Sequence, residues 1–375
     1  MKRTAQLLYR YDRIGDSLLE LKDEKILFYY FSEKYNIYFY NLKTFQYLTE
    51  LYIDKLIYEF EKNNIHKFEY ENKDNFVSYK CVRGKYQNEV KNKNCITELN
   101  SGLILIGRNN YLIEINFHDK TYEYKLIKKL EKTILDINEL PNEKILVFTN
   151  IYILILKKEN EEYKILNEYP VQSFWKIKSP KAYYRDFNQY FSSELLPNNK
   201  LLLYSHSIEI EYHDTGCIRG PPTKFFNSKF IFIDTNDFTE INSTKKFDEE
   251  AKHLILENYI VIQVKDKTFI YDINSFNLIK DIEFPDKFNI IHGFEKKYII
   301  GNYKYENYGT FPVFKVENNK FVEHCKIEED SIFPLLFQKN PFKIIFYNFL
   351  FTLRDKRIIL CSNFYMFIFR LPLDK

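Results

Sequence analysis

The chain has 375 residues, with 55 Lys plus Arg against 52 Asp plus Glu and a net charge of +3. That near balance excludes a dedicated nucleic-acid binder, which carries a strong basic excess, and a 45% hydrophobic content excludes an acidic disordered chain. The five cysteines (Cys81, Cys95, Cys217, Cys325, Cys361) are odd in number and form no CxxC pair, so no disulfides and a reducing compartment are expected, cytoplasmic or nuclear.

Residues 5–14, AQLLYRYDRI, read as a lone strand with no secretory leader's apolar region. A recurring pattern then begins: an apolar stretch, a short polar turn, a second apolar stretch. It falls at 17–30, 96–107, 134–148, 192–204, 253–263, 290–303 and 349–362. Each copy joins two strand-length runs through Asn, Asp, Pro, Lys or Glu, which suit tight turns. A second pattern follows most copies: a strand ending in a polar residue, a turn, and another strand. At 36–51, 229–241 and 268–282, Asn41, Asp234 and Asp272 are each followed four residues later by Phe45, Phe238 and Phe276, the mark of a side-chain-stabilised turn. Glu317 and Phe321 keep that offset. The chain ends with a third strand at 365–370 and no fourth.

Each unit is therefore four short antiparallel strands, a to d, which cannot bury both faces alone. Stacked copies bury them against their neighbours. The expected fold is all-β: a single β-propeller domain over 1–375, most simply of seven four-stranded blades, with eight the alternative if 54–94 forms a blade. The leftover strand at 5–14 would supply the missing partner of 365–370 and close the ring. The pattern resembles the WD-repeat family, with Tyr271-Asp272 and Ile233-Asp234 where its Trp-Asp pair would stand.

Catalytic and metal motifs are sparse. There is no P-loop, GxGxxG, HExxH or GxSxG. Asp214-Thr215-Gly216 reads as a turn, because aspartic protease chemistry needs a second carboxylate sharing the proton. His206 and His213 flank SIEIEY, yet strand alternation sets them on opposite faces, so no metal and no cofactor are expected. Glu20, Glu98, Asp136 and Glu194 lie on first strands and form the alternative of a hydrolase with carboxylates at a channel mouth. Their shared place in the repeat favours a structural role. The lysines of 80–93 read as a solvated loop.

Alternating strand direction puts a–b and c–d turns at one end and b–c and d–a connections at the other. The long insertions, 54–94, 170–191, 207–228, 303–309 and 328–342, all fall at the second end. Two carry residues typical of interface hot spots: Trp175, Tyr183, Tyr184 and Arg185 in one, Arg219, Pro221 and Pro222 in the other. The sequence thus points to a non-catalytic scaffold that binds a protein partner through this face, with no membrane span.

Overall fold

The computed structural model describes residues 6–12, 17–29, 36–64, 96–118, 121–149, 151–160, 162–171, 185–211, 223–249, 251–280, 282, 284–285, 288–303, 310–317, 320–328, 347–353, 355, 357–362 and 365–370. Among them are seven four-stranded sheets, six of them meanders of consecutive strands and the seventh completed by β1. After β1 (Gln6–Asp12), the first sheet is β2 (Ser17–Glu20), β3 (Lys25–Tyr29), β4 (Asn36–Asn41) and β5 (Tyr47–Tyr52), followed by helix α1 (Ile53–Asn64). The second is β6 (Ile96–Glu98), β7 (Ile104–Arg108), β8 (Tyr111–His118) and β9 (Thr121–Lys129). The third is β10 (Ile134–Leu140), β11 (Lys144–Thr149), β12 (Tyr152–Glu159) and β13 (Glu162–Pro170). The fourth is β14 (Arg185–Leu196), β15 (Lys200–Glu211), β16 (Thr223–Asp234) and β17 (Glu240–Ser243). The fifth is β18 (Ala251–Ile255), β19 (Tyr259–Val264), β20 (Lys267–Asp272) and β21 (Leu278–Ile279), and the sixth is β22 (Phe288–Phe294), β23 (Tyr298–Tyr303), β24 (Thr310–Glu317) and β25 (Lys320–Glu328). The last is β26 (Tyr347–Thr352), β27 (Arg357–Ser362) and β28 (Tyr365–Arg370), with β1 paired antiparallel to β28 from Gln6↔Arg370 to Asp12↔Tyr365.

The chain divides into two compact units, one of residues 15–173 with 190–192, the other of 1–14, 174–189 and 193–375. In the first, Ile37 and Phe39 of β4 share a core with Ile104, Ile106, Ile113 and Ile115 of the second sheet. A further core joins the second and third sheets through Leu105, Leu112, Ile145 and Val147. In the other unit, Phe230 and Phe232 pack with Ile260, Ile262 and Phe276, and Val261 and Ile270 pack with Phe288 and Ile299. The second strand of a sheet reads as a continuous apolar run because it is covered on both faces: all of KILFY in β3 is buried, as are the last five residues of YIVIQV in β19. One buried polar side chain joins the fifth and sixth sheets. Gln263 Nε2 donates to the Phe288 carbonyl at 2.6 Å, and its Oε1 accepts the Ile290 N–H at 2.8 Å.

The Asx turns set the c–d corner. Asn41, Asp234 and Asp272 each accept through their own carbonyl the N–H of Phe45, Phe238 and Phe276, at 2.9 Å in all three. The side chains accept N–H groups within the turn: Asn41 Oδ1 from Thr44 at 2.9 Å, Asp234 Oδ1 from Asn236 at 2.9 Å, Asp272 Oδ1 from Ser275 at 2.8 Å. Each Phe sits in the left-handed region, with φ of 54°, 61° and 56°. That is an unfavourable place for a bulky residue, and it persists because the rings are buried.

Glu317 and Phe321 do not repeat this geometry. Val316 pairs with Phe321 and Glu317 with Lys320, which makes a two-residue hairpin. The physical reason is side-chain length: a glutamate carries its carboxylate one methylene too far to close the Asx ring.

Candidate interaction surface

The b–c and d–a connections are described at two sheets, each taken within its own unit. The first carries α1, which leaves β5 at the d–a corner. Its Ile53 and Ile57 enter the core shared by the first two sheets, while Tyr58 and Glu59 stay outside. Arg108, the last residue of β7, fixes the helix to the b–c corner: Nε donates to Asp54 Oδ1 at 3.0 Å and Nη2 to Asp54 Oδ2 at 3.3 Å. The insertion expected at 54–94 thus opens as a helix. The signal was present in IDKLIYEF, whose apolar residues 53, 56, 57 and 60 follow helical spacing.

The second place is the fourth sheet. Its strands β14, β15 and β16 are each 12 residues long, against six in β11 and β19. At about 3.3 Å per residue, the surplus is roughly 20 Å of added strand. β15 and β16 stay in register from Lys200↔Asp234 through His206↔Ser228 to Glu211↔Thr223. The three-residue turn Pro197–Asn199 can join β14 and β15 only antiparallel. The start of β14, the end of β15 and the start of β16 therefore share one end of one sheet.

This corrects two boundaries. The insertions expected at 170–191 and 207–228 are narrower, since residues 185–191, 207–211 and 223–228 are strand. The strand-forming residues of 207–211 (SIEIE), paired with 223–227 (TKFFN), carry the ladder past ordinary strand length. At the other boundary, Val171 is buried and donates its N–H to the Ile151 carbonyl at 2.7 Å. Arg185 is the first residue of β14 and not a loop residue. Trp175, Tyr183, Tyr184, Arg219, Pro221 and Pro222 lie outside the described residues, as do His213, Asp214–Gly216 and the lysines of 80–93. In sequence, β13 and β14 flank the first of these segments and β15 and β16 the second.

At the a–b turns, two first-strand carboxylates clasp a turn of the preceding sheet. Glu98 accepts the Lys22 N–H on both oxygens at 2.9 Å, and Lys22 Nζ donates to the Leu99 carbonyl at 2.8 Å. Glu139, which the sequence reading did not single out, accepts the Asn100 N–H at 2.7 Å. Asp136, 1% exposed, accepts from the Ile137 N–H and Asn138 Nδ2 at 2.9 and 3.2 Å. Glu194 lies 3.3 Å from His253 Nε2. The Glu98 and Glu139 bonds hold a turn of one sheet against the first strand of the next, while Asp136 is satisfied within its own strand and Glu194 meets the first strand of the fifth sheet. Among the described residues, no group of three or more His, Cys, Asp or Glu is placed to hold a metal, and no helix is long and apolar enough to cross a membrane.

The deciding architectural feature is the repeated four-stranded meander with an Asx turn closing its third strand and a final sheet that takes its fourth strand from the start of the chain. The fold is that of a β-propeller. No family model matches the chain, and no curated protein matches it. Solved structures do match. The dihydro-heme d1 dehydrogenase NirN in complex with DHE is 8% identical with a TM-score of 0.47, over 96% of this chain. The chain spans 61% of that protein's length. Kluyveromyces lactis Hsv2 is 10% identical with a TM-score of 0.43, over 96% of this chain and 90% of that one. Saccharomyces cerevisiae Sqt1 is 7% identical with a TM-score of 0.45, over 100% of both chains.

Proposed function

We propose that this propeller is a non-catalytic scaffold, acting in the cytoplasm, that holds a protein partner at the end bearing its b–c and d–a connections. The observation that supports this reading is the fourth blade. Three strands of 12 residues carry two segments rich in Trp, Tyr, Arg and Pro away from one end of a single sheet. Large rings and guanidinium groups concentrate binding energy in few residues, so Trp175, Tyr184 and Arg185 are the anchors, with Tyr183, Arg219, Pro221 and Pro222 around them. The carboxylates of the hydrolase alternative are engaged elsewhere: Glu98 in an inter-blade clasp, Asp136 in its own strand, Glu194 beside His253.

The test starts with a pull-down and mass spectrometry to identify the partner, followed by affinity measurements on Trp175→Ala and a control at the other end. Asp355 is unsuitable as the control, because its Oδ2 accepts from Nε of the buried Arg357 at 2.6 Å. Asn142 is unsuitable too, since it holds a φ of 61°. Ser101, exposed in the second blade's a–b turn, is the better choice. Trp175→Ala is expected to weaken binding by roughly 2 kcal/mol, about thirtyfold, and Ser101→Ala to leave it unchanged. Equal, negligible losses would contradict the reading.

A further inference from the structure

A different surface of the first unit combines exposed aromatic rings with carboxylates. Tyr47, Tyr52, Tyr58 and Tyr124 are 53%, 42%, 65% and 48% exposed. They come from three adjacent elements: β5, α1 and β9. β5 is the outermost strand of its sheet, and an outermost strand presents a row of backbone N–H and C=O groups outward. On it, Glu50 stands opposite Tyr38 and Tyr47 opposite Tyr40, whose ring lies 5.7 Å away edge-on. Tyr52 Oη donates to Glu50 Oε1 at 2.5 Å. Tyr122 packs on the same core as Leu48 of β5 and Leu56 of α1 and senses Glu50 and Glu59, which places the tyrosine face of β9 near them; the Tyr124 ring lies 6.5 Å from that of Tyr122.

Among the described residues, Glu50 and Glu59 lie on this side together with Lys55, 3.8 Å from Glu59. By strand alternation Glu123 and Lys125 belong to the other face of β9. The phenols feel the carboxylates. Tyr52 is pushed up to about 12, first by its hydrogen bond to Glu50. Tyr122 is raised by burial, then by Tyr124, Glu50 and Glu59. Phenol rings set beside carboxylates form a surface suited to cations. A guanidinium group suits it better than an ammonium, since its plane stacks on a phenol while its fork meets a carboxylate.

We propose that the β5 edge, flanked by Tyr47, Tyr52, Tyr58 and Tyr124 and charged by Glu50 and Glu59, binds an extended arginine-bearing segment of a protein partner. The site uses residues of the first unit and none of the fourth blade, so the two readings stand or fall independently.

The test uses the full chain and fluorescence polarisation with a labelled nonapeptide of alternating arginine and glycine. Counterparts carry lysine or glutamate in place of arginine. The arginine peptide should bind, about threefold or more tighter than the lysine peptide, and weaken as salt rises. The glutamate peptide should not bind. Tyr47→Leu and Tyr124→Leu, both at exposed positions and checked for fold by circular dichroism, should each lower affinity about two- to fivefold. Glu50→Gln should reduce the salt dependence, and Trp175→Ala should change nothing. No binding at low salt, binding of the glutamate peptide, or affinity unmoved by both tyrosine substitutions would overturn the proposal.

Discussion

Phe276 gives the most searching test of the turn geometry. Its ring is 2% exposed, stacked on Phe232 of the preceding blade at 5.0 Å and 6°, and on Tyr271 at 4.9 Å and 17°. Its backbone is held at a φ of 56°. Phe276→Ala removes the buried ring and should cost about 3–5 kcal/mol. Phe276→Gly removes the same ring but also releases the left-handed strain, worth about 1–2 kcal/mol for a residue with a Cβ. At an ordinary position glycine is about 0.5–1 kcal/mol worse than alanine. Here the order should invert, with glycine up to about 1 kcal/mol more stable than alanine. Urea midpoints at unchanged slope measure the difference. Alanine exceeding glycine by its usual margin would refute the claim that burial of the ring holds the backbone in a strained conformation. Phe238→Ala and Phe238→Gly, at φ 61° and 6% exposure, should reproduce the inversion.

Other expectations follow from the same blades. The Asp272 carboxyl is held below its ordinary range, first by the Ser275 N–H. A lowered folded value means that the stabilisation is present above about pH 4 and lost as pH falls through it. Asp272→Asn should keep the turn, as Asn41 does in the first blade, and melting curves should show wild type losing its margin over the variant on acidification; a pH-independent margin would count against this. Gly301→Ala would drive a Cβ into the Asn289 carbonyl and the Phe288 ring, costing about 1–3 kcal/mol by overpacking, read as a lowered urea midpoint. Deleting residues 1–12 removes β1 and bares the edge of β28, so size-exclusion chromatography should show aggregation; a monodisperse protein with unchanged melting temperature would contradict the pairing.

The repeat was legible because its chemistry is local. Asn41, Asp234 and Asp272 hold their turns with their own side chains, so a spacing of four to Phe was enough to find them. The same spacing at Glu317 misled, because the residue type and not the interval closes the ring. The second strands stood out as apolar runs, since both faces are covered. Helix α1 was harder to see: 12 residues of amphipathic pattern sit inside a stretch read as one insertion, and its tie to Arg108 joins residues far apart in sequence. The length of the fourth blade was missed because its alternating residues continue past the length of the other strands. The acidic first-strand positions were readable as a repeat feature, but the clasp from Glu98 to Lys22 depends on which turn lies beside which strand. Composition alone picked out the Trp175 and Arg219 segments, which the described strands β13 to β16 flank in sequence.

The central claim is that a partner protein is held where the long strands of the fourth blade end. Hydrogen–deuterium exchange with and without the partner found by pull-down tests it most directly. The account predicts slowed exchange at residues 185–191, 207–211 and 223–228, with the Leu99–Leu103 turn unchanged. Protection confined to that turn and its equivalents at Lys22 and Asn142, with the ends of the fourth blade unaffected, would contradict it.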